Sequence, residues 1–203
     1  MQLNPDFSPE QRQSLESLVD SLRETLRLSV SLNSDPATLE QLNTQLRALN
    51  EALRPHAGRR ALEHFNASPG EDLAAILPCS PVTGRYHPMA PPFQIRREAQ
   101  QVVGEVTLNE VYEGPQGHVH GAWVAAIYDQ LLAMACVSNG TAGPTANLSV
   151  DYLKPTPLNR PLRFEASVDS ADERKIFASG RCYSDGELVS RCEGLFIRFI
   201  PRQ

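Results

Sequence analysis

Apolar residues recur three and four positions apart in the first quarter of the chain, and the period shortens to that of strands after Phe93. Ser8-Pro9-Glu10-Gln11 reads as a helix start. Ser8 can cap, Pro9 suits the first helical position, and Gln11 stands where a capping box places its third residue. Leu15, Leu18, Val19, Leu22 and Leu26 follow at helical spacing. Asp35-Pro36 restarts the pattern, and Leu39, Leu42, Leu46, Leu49 and Leu53 keep a strict three-four repeat. Two amphipathic helices joined near residues 33–36 predict an αα-hairpin over 1–55. By themselves they would expose both apolar stripes, so they must pack on the main domain or on another subunit, as cover, lid or dimer contact.

Between Pro55 and Pro92 the pattern weakens. Pro69-Gly70, Pro78, Pro81, Pro88 and Pro91-Pro92 interrupt any long element, which predicts a short helix and then a surface linker over 56–92. A β-rich stretch with Val102, Val103, Val106, Leu108 and Val111 covers 101–112, and Gly114-Pro115-Gln116-Gly117 is a loop. An apolar helix is expected over 119–138, followed by β-like segments at 145–153, 162–168, 175–183 and 188–199. Asp185-Gly186 signals a hairpin turn between the last two. One long apolar helix followed by consecutive strands describes an α+β domain over 93–203. Because the helix is apolar nearly all round, it suits the inside of a curved antiparallel sheet.

Composition narrows the function classes. The 203 residues carry a net charge of -5, which argues against a nucleic-acid or other polyanion binder. The N-terminus has no basic region followed by an apolar run, so no secretory signal is expected. The most apolar stretch, residues 121–137, is broken by Asp129 and Gln130 and does not read as a membrane span. Cys79, Cys136, Cys182 and Cys192 lack CxxC spacing, which points to reduced thiols in a cytoplasm and away from a zinc site.

The candidate chemistry lies in residues 117–129, where a glycine-bearing loop meets the apolar helix. Free N–H groups at a helix start favour developing negative charge, and Gly121 lets a ligand approach that backbone closely. Together they form a candidate oxyanion hole. Asp129 is a carboxylate in an apolar helix, where it must be paired, hydrogen-bonded or shifted in pKa, and so is a candidate base or nucleophile. Eight residues of helix separate Gly121 from Asp129, a rise of about 12 Å. If both are catalytic, they meet only across two subunits, most simply in a two-fold dimer. His118-Val119-His120 lacks the further ligands a metal needs, so no metal site is expected, and His120 is read as fixing the loop.

His120-Gly121-Ala122 followed by Asp129 resembles the His-Gly-Gly…Asp motif of PaaI-like hot-dog thioesterases. Residues 145–158, from Thr145 through Asp151-Tyr152-Leu153-Lys154-Pro155 to Leu158, resemble that family's next strand, and 174–179 the strand after it. The resemblance covers about half the chain. It implies a hot-dog fold, an antiparallel sheet wrapped around a long central helix, here with an N-terminal helical hairpin as an extension. It also implies a homodimer or homotetramer that hydrolyses acyl-CoA with no cofactor beyond the CoA of the substrate. Asp129 would attack the thioester or activate water, Gly121 N–H of the opposite subunit would polarise the carbonyl, and Thr145 would orient water or the carboxylate. Asp151, Leu153, Arg174 and Ser179 fall at CoA-contacting positions. Ala122 departs from the usual second glycine, and its methyl narrows the thioester pocket.

Two rivals share the fold. A hot-dog dehydratase or hydratase needs a His and an acid placed together, and Asp129 has no His neighbour on its helix. A non-catalytic acyl-CoA-binding regulatory protein would tolerate loss of Asp129, whereas the presence of Asp129 and Thr145 favours catalysis.

Overall fold

Period-two burial in the second half of the chain builds one six-stranded sheet in the computed structural model, which describes residues 7–58 and 72–198. The strands are β1 (Gln94–Glu98), β2 (Gln101–Thr107), β3 (Thr145–Tyr152), β4 (Pro161–Ala171), β5 (Lys175–Ser184) and β6 (Glu187–Ile197). Their order is β1-β2-β4-β5-β6-β3, and every neighbouring pair is antiparallel. In β5, Ile176, Ala178 and Cys182 are buried while Lys175, Phe177 and Arg181 face outward. Position 199, the expected end of the last strand, lies outside the described residues.

The inner face closes on one helix, Gly121–Ser138. Val124, Ile127, Tyr128, Leu131, Leu132 and Met134 are almost fully buried there, against Phe164, Ile176 and Phe196. Each such side chain contributes about 1.5–3 kcal/mol on burial, which accounts for a helix with almost no polar face. The alternation and the single apolar helix predict such a curved antiparallel sheet around one helix, and it is the hot-dog arrangement that the family resemblance implies. By length and composition the helix could cross a membrane, but its apolar residues are spent on the sheet.

The Asp185-Gly186 turn is observed, with φ of 50° and 79° at its two residues, as a tight hairpin requires. Strand β1 was not legible. It forms a hairpin with β2 through Ala99-Gln100, and Ala99 adopts φ 53° without the glycine or asparagine that usually marks such a turn. Its Arg96 joins Glu98, Glu105 and Arg163 in an ion-pair network on the outer face.

Residues 72–92, expected to be part of a surface linker over 56–92, instead enter the core. The short helix expected there falls partly on residues 59–71, outside the described residues; within them only 3₁₀ turns occur, at Arg54–His56 and Leu73–Ile76. Leu73, Ala74, Ile76 and Ala90 are buried, so this segment completes the core beside β1 and the central helix. Prolines remove backbone donors and leave carbonyls to be satisfied from elsewhere. Arg23 supplies donors from outside, to the carbonyls of Ala90 (2.8 Å), Arg85 (3.0 Å), His87 (3.2 Å) and Gly84 (3.3 Å).

Arg23 belongs to α1 (Pro9–Ser29), whose start carries the predicted Ser8–Gln11 capping box and which buries Val19. The second helix, α2 (Pro36–Leu53), is capped by Asp35 but has no buried residue. Leu39, Leu42, Leu46 and Leu49 all lie open. We label the central helix α3.

These two environments predict opposite responses. Leu131→Ala should cost about 2–5 kcal/mol in urea unfolding. Leu42→Gln with Leu46→Gln should stay within about 0.5 kcal/mol per position. A loss at the α2 pair as large as that at Leu131 would show that the stripe is covered in solution.

Candidate active site

The site begins where the 113–120 loop turns into α3. His120 N–H donates to Tyr112 C=O (2.8 Å), Gly114 N–H to His118 C=O (2.9 Å), and Val119 N–H to Thr156 C=O (2.8 Å). A Cβ on Gly114 would lie 2.7 Å from His120 Cα, so only glycine lets the loop cross there. Tyr112 braces the loop from beneath: its ring meets Trp123 edge-on at 4.9 Å and its hydroxyl donates to Met89 C=O (2.8 Å). Burial pushes the Tyr112 pKa up to about 12, so it remains a donor at neutral pH.

His120 is the N-cap of α3. Its Nδ1 accepts from Ala122 N–H (3.0 Å), which places the ring proton on Nε2. Trp123 N–H (2.9 Å) and Val124 N–H (3.5 Å) both turn to His120 C=O. Among the described residues, Gly121 N–H is then the one first-turn donor left without a partner. An unsatisfied N–H at the positive end of a helix is suited to hold an oxyanion. His120 therefore sits where a loop-fixing residue belongs, and it decides which N–H is free.

Two turns on, Asp129 stands on the side of α3 that its own sheet leaves open, a face it shares with Ala122, Ala125, Ala126 and Val137. The apolar sequence around it suggests a buried carboxylate, but within one chain Asp129 is only half-buried. The reason is local: the sheet ends at β3, so among the described residues no strand covers that flank beyond the start of β3. Thr145, the first residue of β3, donates its hydroxyl to Asp129 Oδ1 at 2.6 Å. The rise of α3 holds Gly121 about 12 Å from Asp129.

Tyr152, the last residue of β3, was not identified from sequence. Its hydroxyl donates to Gly121 C=O at 2.8 Å, and its ring lies 3.3 Å from where a Gly121 Cβ would sit. Partial burial raises its pKa, so the hydroxyl keeps its proton. A signal existed: Leu148, Val150 and Tyr152 alternate along the inward face of β3, which puts the tyrosine on the side of α3.

The remaining expected residues divide. Leu153 lies beside Tyr152 and lines, with Gly121, Val124, His118 and Lys154, a hollow of about 430 Å³. Asp151 points to the outer face and pairs with Arg191 (2.8 Å). Ser179 donates to Asp169 (2.8 Å) on that outer face, where it and Asp151 line a separate hollow of about 610 Å³ with Arg181 and Arg191. Arg174 stands in the turn between β4 and β5, held by its backbone to Asp172 and Arg198. One chain thus holds three separate groups: Asp129 with Thr145, Gly121 with His120, Tyr152 and Leu153, and Asp151 with Ser179.

Comparison with known proteins bears on the family and the fold. The sequence profile of the thioesterase superfamily matches residues 116–190. A crystal structure of a thioesterase superfamily protein is 32% identical and covers 96% of this chain and 93% of its own, with a TM-score of 0.81. The acyl-coenzyme A thioesterase THEM4 of Xenopus laevis is 34% identical over 91 residues, 44% of this chain and 41% of its own length. The match thus spans less than half of that curated relative. A hypothetical thioesterase from Streptococcus pneumoniae, solved with coenzyme A, shares the fold over 55% of this chain and 91% of its own, at 18% identity and a TM-score of 0.51.

The cap assigned to His120 has a direct check. His120→Ala should lower stability in urea unfolding by about 1 kcal/mol, and His120→Asn, which can still accept from the first turn, should recover most of it. Equal stability of wild type and His120→Ala would contradict the capping role.

Proposed function

The chain belongs to the thioesterase superfamily, and from that premise we propose that it hydrolyses the thioester of an acyl-CoA to the free acid and CoA. The observation that carries the proposal is the unpartnered first-turn N–H of Gly121 together with a threonine-held carboxylate on the open flank of the same helix. The two groups suit one reaction but stand too far apart to share a carbonyl within one chain.

A second subunit resolves the distance. Strand β3 pairs only with β6, so its outer edge is free along its length among the described residues, and an edge of this kind readily accepts another strand. The open flank of α3, bearing Asp129, lies next to that edge. A two-fold dimer joined there brings Asp129 of one protomer toward the Gly121 hollow of its partner and makes two equivalent sites.

In each site the thioester carbonyl oxygen points at Gly121 N–H, which stabilises the negative charge that grows on it. Asp129 faces the carbonyl carbon as general base to a water molecule or as the attacking group, with Thr145 fixing which oxygen is presented. Collapse of the tetrahedral centre expels the CoA thiolate, which takes up the proton that Asp129 removes from water; where Asp129 attacks directly, water then cleaves the acyl–Asp129 anhydride to the free acid and restores the carboxylate. Leu153 borders the thioester hollow, and Asp151, Ser179 and Arg174 are the proposed contacts of the CoA portion, with the Arg174 guanidinium suited to a phosphate. Relatives named as acyl-coenzyme A thioesterases, and a structure of this fold solved with coenzyme A, support acyl-CoA as the substrate class. The chemistry requires no metal and no cofactor beyond the CoA of the substrate.

Release of free thiol from a panel of acyl-CoA esters tests the proposal. Asp129→Asn should lose about 10²–10⁴-fold in kcat, the usual contribution of a positioned base, with little change in acyl-CoA affinity. Gly121→Pro deletes the N–H at the first helical position, where proline is tolerated, and the extended backbone of His120 (φ -62°, ψ 130°) suits a following proline. Its expected loss is about 10²–10³-fold. Wild-type turnover in Asp129→Asn would contradict the assigned role, and binding of acyl-CoA without any turnover would make the protein a non-catalytic binder.

A further inference from the structure

We propose that Tyr152 is a positioning residue that fixes the direction of the Gly121 N–H by gripping the next peptide group from strand β3. The inference rests on Gly121 as the oxyanion donor, and it adds a residue to which the family resemblance assigns no role.

The argument starts from glycine. Without a Cβ, Gly121 is the most conformationally permissive residue in the loop-to-helix turn, so its own chemistry does not hold its N–H in one direction. Oxyanion stabilisation depends on a donor that is already aimed before charge develops. The order has to come from neighbours.

Those neighbours hold both ends of one planar group. The peptide linking Gly121 to Ala122 is rigid, so fixing its two ends fixes the plane. Its N–H end donates to His120 Nδ1 (3.0 Å), and its C=O end accepts from Tyr152 Oη (2.8 Å). The peptide before it is anchored through His120 C=O, which receives Trp123 N–H. The Tyr152 ring, 3.3 Å from a would-be Cβ, also occupies the side into which Gly121 would otherwise swing.

Burial alone does not explain the contact. Tyr152 is 52% exposed, so water could satisfy its hydroxyl equally well. The bond instead ties an edge strand to the first turn of the central helix. Thr145 begins β3 and holds Asp129, while Tyr152 ends it and holds Gly121. One strand thereby supports both reacting groups that its protomer contributes to the two sites.

Tyr152→Phe keeps the ring and removes only the donor, and Tyr152→Ala removes both. Measurement combines kcat and KM for acyl-CoA hydrolysis, the NMR carbonyl and amide signals of Gly121, and urea unfolding. Loss of one neutral hydrogen bond should lower kcat about 3–10-fold in Tyr152→Phe, and the misplaced donor of Tyr152→Ala should cost about 100-fold. KM of Tyr152→Phe should stay within about twofold, because the variant keeps the ring that lines the Gly121 hollow and loses only the hydroxyl bonded to Gly121 C=O. The Gly121 signals should shift in both variants while the unfolding midpoint of Tyr152→Phe stays near wild type. Unchanged kcat and unchanged Gly121 signals in Tyr152→Phe would overturn the proposal, as would a raised KM at constant kcat, which would make Tyr152 a binding group. If the wild type hydrolyses no acyl-CoA, the hydrolase reading fails, and the Gly121 signals alone still decide whether Tyr152 grips that peptide.

Discussion

An α-helix rises about 1.5 Å per residue, and in this protein that rise sets the terms for the rest of the site. The free first-turn N–H of Gly121 and the threonine-held carboxylate of Asp129 both belong to α3, eight residues apart. Their chemistry is complementary, but a rigid buried helix cannot bend to bring them together. The apolar face of α3 is committed to the sheet, and its remaining flank, with Asp129, is left open where the sheet stops at β3. In the proposed reaction the single chain is therefore incomplete, for a reason that lies in the same packing that makes the domain stable.

Strand β3 is where these constraints meet. It lies last in the sheet, its outer edge is free, and its two ends hold the two reacting groups through Thr145 and Tyr152. A strand that served only as an edge would favour charge or proline to discourage pairing. This one carries the small, uncharged Thr145, Ala146, Asn147 and Ser149 on exposed positions along its first part, and its exposed Asp151 is paired to Arg191 of the neighbouring strand. The proposed dimer therefore joins the protomers along the element that already orders the chemistry of each.

Much of this was legible in sequence because it rests on local rules. The Ser8–Gln11 cap, the Asp185-Gly186 turn and the period change after Phe93 each follow from backbone geometry that a few residues dictate. The family resemblance carried Asp129, Gly121 and Thr145, and the structure brings Thr145 onto Asp129. What escaped was non-local or disguised. Strand β1 turns through an alanine at positive φ, which no turn rule flags. The proline-rich segment looked like a linker because its order depends on one arginine about sixty residues away, and Arg23 carries no local mark of that task. Asp129 looked buried because an apolar helix sequence does not say where the sheet beside it ends. Tyr152 was visible only as one member of an alternating series, and its contact with Gly121 depends on tertiary placement.

The central claim is that each site takes its carboxylate from one protomer and its oxyanion donor from the other. Mixing tests it most directly. Asp129→Asn and Gly121→Pro proteins, each nearly inactive, are unfolded together in equal amounts and refolded, and thiol release is compared with wild type. Half of the dimers should be mixed, and each mixed dimer should hold one intact site of two, so activity should return to about a quarter of wild type. No recovery, with mixed dimers shown to be present, would mean that both groups act from a single chain and would contradict the account.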